Sequence, residues 1–243
     1  MKMSMRLIII ITASFITTKC SSQLSSADSA VYNASLNNAL LVYHHALAPE
    51  PLLYDGMQYM SYDYQMTEGS PYFQSAQLRP GAVFYNDVLF TNVPMLYDLV
   101  SDKLIINSPG KAFLIQLNSE RVAHFSLLDH QFIRLVLDSA NNINTGFYEL
   151  LYDGKTQVLK KQIKTIQERI NVKVEKYVQE VERHYIKKGN RYFSVSTKQN
   201  VLQLLADKKK ELKQYIRKNK LNIRKDKDNT LVKIAAYYDE ITK

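Results

Sequence analysis

Leu150-Leu151-Tyr152-Asp153-Gly154-Lys155-Thr156-Gln157-Val158 is the stretch whose reading decides the fold. Asp-Gly supplies the positive φ angles of a tight hairpin, and apolar residues flank it on both sides, so the stretch reads as two antiparallel strands and their turn. Tyr185 to Val195 repeats the arrangement around Lys188-Gly189-Asn190. From Leu52 to Val195, short runs rich in Tyr, Phe, Val, Ile and Leu alternate with turn chemistry about every ten residues. Asp55-Gly56, Glu68-Gly69, Pro80-Gly81, Asn86-Asp87, Ser101-Asp102 and Pro109-Gly110 punctuate the first half. Asn118-Ser119, Asn141-Asn142, Asp153-Gly154 and Gly189-Asn190 continue the series. About ten strands in meander order predict an antiparallel sheet that curls into a barrel or folds over into a sandwich, because both limit exposed edges. No long crossover helix interrupts the run, which argues against a parallel α/β sheet. Gln167 to Glu182 fits either period, and its β-branched Ile170, Val172, Val174 and Val178 favour strand.

The flanks read as helix. Between Val31 and Ala48, Leu36, Leu40, Tyr43 and Leu47 recur at helical spacing, and Pro49 and Pro51 stop the run. After Val195, Ser196 and Gln199 form a capping-box pattern. Val201, Leu204, Leu205, Leu212, Tyr215 and Ile216 then make one apolar stripe. A second helix starts near Asp226 or Asp228, with Leu231, Ile234, Ala235, Tyr238 and Ile241 as its stripe. The expected class is therefore α+β: an antiparallel β-meander with an N-terminal helix and a C-terminal amphipathic helical hairpin. The expected divisions are a signal peptide at 1–22, a tether and short helix at 23–50, the β domain at 51–195 and the basic hairpin at 196–243.

The first residues point to export. Lys2 and Arg6 precede the apolar run Leu7 to Ile16, followed by Thr17-Thr18-Lys19-Cys20-Ser21-Ser22, the three parts of a secretory signal. Cys20 stands where a bacterial lipoprotein carries its lipid, whereas Lys19 departs from the small residue normal before that cysteine; ordinary cleavage between Cys20 and Ser22 is the other reading. One Cys in 243 residues excludes an internal disulfide and a four-cysteine zinc site. No apolar run approaches the roughly 20 residues of a membrane-spanning helix.

Charge divides the chain. Residues 1–150 hold 8 Lys/Arg and 12 Asp/Glu, net −4, and residues 151–243 hold 24 and 11, net +13, which together give the overall +9. Lys208 to Lys227 carries ten Lys/Arg against Glu211 and Asp226. Such segregation speaks to partners rather than to fold. With export, and without a recognition motif or stacking aromatics, the expected anionic partner is not nucleic acid but an envelope protein or a lipid or lipopolysaccharide surface. Lys208, Lys209, Lys210, Lys213, Arg217 and Lys218 are the candidate contacts, and a solvated helix face is the plain alternative.

Catalytic motifs are sparse. Leu-Leu-Tyr-Asp-Gly occurs at 52–56 and at 150–154 with unmatched flanks, which turn chemistry explains. The histidines are His44, His45, His124, His130 and His184, and Asp129 with His130 or His124 is the arrangement a hydrolase reading can use. There is no nucleophile elbow, no His-Glu-x-x-His pair and no phosphate-cradling glycine loop, so no catalytic, cofactor or metal residue is assigned. Tyr54, Tyr59, Tyr62, Tyr64, Tyr72 and Tyr85 read either as a sugar- or peptide-binding face or as half-buried strand residues.

Leu53-Tyr54-Asp55-Gly56, Gly81 to Tyr85, Val93 to Leu99, Phe147 to Gly154, Lys208 to Lys220 and Tyr237-Tyr238-Asp239 together resemble an uncharacterised family of exported Bacteroidetes proteins. The resemblance implies a Gram-negative envelope address, periplasmic or outer-membrane associated, and carries no catalytic residue. It also implies that Ser29 in Asp28-Ser29-Ala30, and after it Ser139 in Asp138-Ser139-Ala140, are similar to O-glycosylation sites of that phylum. The leading expectation is a non-enzymatic envelope protein that binds a protein partner or an anionic envelope component. A carrier holding a lipid in a curled-sheet cavity and an envelope hydrolase are the alternatives.

Overall fold

Every Tyr-, Phe- and Val-rich run that forms a strand joins one sheet. A computed structural model describes residue 35 and residues 50–136, 143–170 and 173–242. The segments holding Cys20, Ser29, Ser139, His44, His45 and the expected N-terminal helix, residue 35 apart, lie outside the described residues. A short helix α1 (Glu50–Leu53) leads into β1 (Met57–Tyr59), β2 (Arg79–Tyr85), β3 (Val88–Asp98), β4 (Lys103–Asn107) and β5 (Leu114–Gln116). Then follow β6 (Val122–Leu127), β7 (His130–Leu135), β8 (Gly146–Tyr152), β9 (Val158–Ile170), β10 (Val174–Lys188) and β11 (Arg191–Ser194). Three helices close the chain: α2 (Lys198–Leu204), α3 (Lys209–Lys218) and α4 (Lys227–Ile241). The protein is α+β, and among the described residues 11 strands form one antiparallel sheet that is not closed.

Strand order is β1-β5-β4-β3-β2-β6-β7-β8-β9-β10-β11, so the expected single meander is two meanders joined where β6 lies against β2. Sequence neighbours set each hairpin. Asn86 and Asp87 turn β2 into β3 at φ 49° and 62°, and Leu128 and Asp129 turn β6 into β7 at φ 51° and 64°, the paired positive angles of a two-residue hairpin. The strands of 150–158 pair, with Leu150 opposite Leu159 and Tyr152 opposite Val158, but 153–157 is a longer loop in which neither Asp153 nor Gly154 takes the positive φ expected of a tight turn. Pro80-Gly81 is not a turn. Pro80 sits within β2 opposite Pro94, and a side chain at Gly81 would run into the Ser126 carbonyl of β6. Glycine there permits close strand approach rather than chain reversal.

The sheet curls around an aromatic core. Tyr85, Tyr97, Phe125, Phe132 and Phe147 have at most 2% of their surface exposed, and the Phe125 and Phe132 rings stack with centroids 4.6 Å apart. Residues 66–73 strap the opening. Thr67 donates its amide to the Lys176 carbonyl of β10, and Phe73 donates its amide to the Tyr97 carbonyl of β3. Lys164 of β9 completes the seam, giving its amide to the Leu99 carbonyl and its Nζ to the carbonyls of Ser70 and Tyr72. Beyond the strap, β9 and β10 run on as a two-stranded arm whose outer Ile170 and Val174 are exposed.

The C-terminal helices bury their stripes on the same sheet. Val158 and Ile186 pack with Val201, Leu205, Leu212, Ile216, Leu231 and Ile234. The stripe over 201–216 predicts one helix, but the chain breaks at Leu205 into a 3₁₀ turn at Ala206–Lys208 and restarts as α3. The cause is β10: Lys188 donates its Nζ to the Leu204 carbonyl and to Asp207, whose other oxygen accepts from Tyr238. Those contacts satisfy the carbonyl that an unbroken helix would have used. The first cap is Thr197 with Asn200, one residue on from the expected Ser196 and Gln199. Asp226 caps α4, which frees Asp228 for the sheet.

Candidate functional site

Helical spacing builds the site. Lys210, Lys213 and Arg217 fall three and four residues apart, so they share one face of α3, beside the buried stripe of Leu212 and Ile216. The turn after α3 places Lys220 at φ 52°, and α2 presents Lys198 at its start. These five cations line one open groove of about 650 Å³ with Gln214, Ile216, Leu221 and Asn222, and no acidic side chain lines it. All five are exposed, and among the described residues none forms an ion pair. Uncompensated cations on one face raise the local potential and attract anions.

Of the six sequence candidates, Lys210, Lys213 and Arg217 come together in this groove. Lys209 faces an adjoining depression of about 370 Å³ that shares Lys198 and Lys213. Lys218 lies round the helix beside Tyr215, Tyr237 and Glu240, and Lys208 is half-buried at the end of the 3₁₀ turn. Lys198 and Lys220 belong to the groove but not to the sequence candidates. Lys198 carried a signal only through its place next to the capping pattern.

The hydrolase constellation does not assemble. His130 donates to or accepts from Glu149 at 2.5 Å and Gln74 at 3.0 Å, while Asp129 occupies the left-handed turn position before it. His124 stacks on Phe84 at 5.0 Å and pairs with Ile133, on the opposite face of the sheet from His130 and Phe132. Among the described residues, no group of three or more His, Cys, Asp or Glu is placed to hold a metal ion.

The tyrosines turn their polar tips inward. Tyr59 and Tyr62 donate to Asp98 at 2.9 and 2.6 Å, and Tyr85 donates to Asp55 at 2.5 Å. Burial and these carboxylates raise all three phenols, that of Tyr85 to about 12. Only Tyr64, with 78% exposed, offers itself to solvent in the manner of a binding ring.

Between the aromatic core and the helices lies a row of charges that the sequence reading passed over. Glu149, Lys160 and His184 stand opposite one another on β8, β9 and β10. Lys160 Nζ is 2.9 Å from Glu149 and 2.8 Å from Asp228 at the start of α4, and His184 Nε2 is 2.6 Å from Asp228. Burial pushes the Lys160 ammonium down, and the two carboxylates outweigh it, so its net shift is upward. The His184 hydrogen bond, helped by Lys160 and opposed by burial, pulls the Asp228 carboxyl down to about 2.

A depressed carboxyl stabilises the folded form fully above its unfolded value of 3.8, and the contribution is lost as pH falls toward 2. Asp228 is 38% exposed, so solvent screening holds the effect to roughly 1 kcal/mol. In urea titrations, wild type is expected to lose about that much more stability between pH 5 and pH 2 than Asp228→Asn does. Parallel losses in both proteins would show that Asp228 does not pin α4 to the sheet.

The fold and groove thus define an α+β protein with a curled open sheet and a basic helical face. Compared with known proteins, the chain matches no family model, no curated protein and no solved structure. Among the described residues no helix is long and apolar enough to cross a membrane.

Proposed function

We propose that the protein is an exported, non-enzymatic component of a Gram-negative cell envelope that binds an anionic partner through its C-terminal helices. One observation carries the reading: Lys198, Lys210, Lys213, Arg217 and Lys220 line a single groove without an acid among them. A solvated helix face needs no such convergence from three separate segments. Anionic lipid or lipopolysaccharide headgroups supply the matching charge outside the cytoplasm, at about 1 kcal/mol per Lys or Arg near the surface. The export signal of residues 1–22 supports the compartment.

The carrier alternative draws no support from the sheet, whose inner face is packed with Phe73, Tyr97, Phe125, Phe132 and Phe147. The hydrolase alternative, Asp129 with His130 or His124, draws no support from the geometry, since His130 bonds to Glu149 and His124 stacks on Phe84.

Reversing the groove charge tests the proposal. Lys210→Glu, Lys213→Glu and Arg217→Glu combined should weaken binding to anionic phospholipid vesicles by about 100-fold or more, since three contacts of about 1 kcal/mol are removed and repulsion is added. All three side chains are exposed, so thermal unfolding should shift little. Vesicle binding that survives the triple reversal would remove the groove from the function.

A further inference from the structure

The groove continues past its cations. Ile216, Leu221 and Asn222 line both the basic groove and a second, more enclosed recess of about 460 Å³. Ile223 and Ile234 complete the apolar wall of that recess, and Lys198 stands at the junction of the two spaces. The two cavities therefore adjoin along shared residues, and the recess adds to the cations an apolar wall of Ile216, Leu221, Ile223 and Ile234 beside Ser196, Thr197, Gln199, Thr230 and a further cation, Arg224. Ligand pockets typically enclose about 300–1,000 Å³, and the recess alone falls within that range.

This pairing selects a ligand class. A polyphosphate or an acidic peptide is satisfied by the cations and gains nothing from isoleucine walls. A neutral hydrocarbon gains from the walls and leaves five ammonium and guanidinium groups without a partner. A molecule with one anionic head and one hydrocarbon chain uses both. We infer that groove and recess together bind a single-chain anionic amphiphile of the phosphate-ester class, head among Lys198, Lys213 and Lys220, chain against Ile216, Leu221 and Ile223. The inference rests on the basic-groove reading above and adds the apolar half of the site. Binding is non-covalent, and the protein acts as a headgroup clamp with a short chain channel.

Chain length is the readout. Each methylene moved from water to an apolar wall strengthens binding about fourfold. Isothermal titration of the intact protein with octyl phosphate, below its micelle concentration, should therefore give at least tenfold tighter binding than ethyl phosphate. Gln199 is exposed on α2 and lines the recess, so Gln199→Trp places an indole where the chain would lie. That variant should lose the octyl preference and keep its ethyl phosphate affinity within twofold. Thermal unfolding checks the fold, and Gln199→Phe serves in its place if the indole disturbs packing.

Equal affinity for the two esters would overturn the amphiphile site while the anion-binding face stands. An octyl preference that survives in both variants would also overturn it, because the chain would be bound elsewhere. Failure of both esters, together with failure of anionic vesicles, would remove the basic-groove reading as well.

Discussion

Asp98→Ala should lower the unfolding free energy by about 3–5 kcal/mol, the largest effect expected of a single side chain here. Asp98 has no exposed surface and accepts from five groups. Tyr59, Tyr62 and the Ser101 hydroxyl donate to one oxygen, and the Val100 and Ser101 amides donate to the other. The carboxylate thus closes the β3–β4 turn and anchors the segment that follows β1. Alanine removes the acceptor and leaves buried donors unsatisfied, which costs more than the net worth of the bonds. For a chain of this length the loss corresponds to a fall in Tm of roughly 6–20 °C. Urea denaturation of the two proteins measures it directly. A loss under about 1 kcal/mol would mean that water replaces the carboxylate and that the hub is not a keystone of the turn.

Lys160→Met should cost a comparable amount, about 3–5 kcal/mol, for a different reason. Glu149 is 4% exposed and Lys160 is 7% exposed, so removing the ammonium leaves the buried carboxylate with His130 as its remaining partner. Lys160 also joins β9 to α4 through Asp228, and its loss should loosen the helices as well as the sheet. The double variant Lys160→Met with Glu149→Gln should recover at least half of the loss, because the buried charge is gone with its partner. Additive losses in that cycle, read from urea midpoints, would show that the two side chains act separately.

The sequence exposed local features and concealed distant ones. The hairpins at 86–87 and 189 were readable because turn chemistry is local and asks for few residue types, whereas at 153–154 the strands were readable and the tight turn was not what formed. The strand character of Gln167 to Glu182 followed from β-branching, and its residues 167–170 and 174–182 lie in the paired β9 and β10. The placing of β6 against β2 was not readable, since nothing near Val122 to Leu127 records which strand edge it meets. Nor was the break after Leu204, which depends on Lys188 reaching across from β10.

The site divides in the same way. Lys210, Lys213 and Arg217 were legible from helical spacing, whereas adding Lys198 and Lys220 needed the fold of the turns on either side. His130 was paired with Asp129 by adjacency, but alternation along the strand sends it to Glu149 on the neighbouring strand. A polar Glu149 and Lys160 at inward strand positions were the available signal, and burial without a partner is rare enough to have flagged them.

The most direct test of the anion-binding account is the salt dependence of vesicle binding by the wild-type protein. Exposed charges separated by more than the screening length of about 10 Å at 0.1 M salt lose most of their attraction. Binding to mixed zwitterionic and anionic phospholipid vesicles, followed from about 0.05 to about 0.5 M salt, should therefore weaken at least tenfold. The triple-reversal protein should stay weak throughout. Binding that holds constant over that range, and is shared by the triple-reversal protein, would contradict a basic groove as the seat of function.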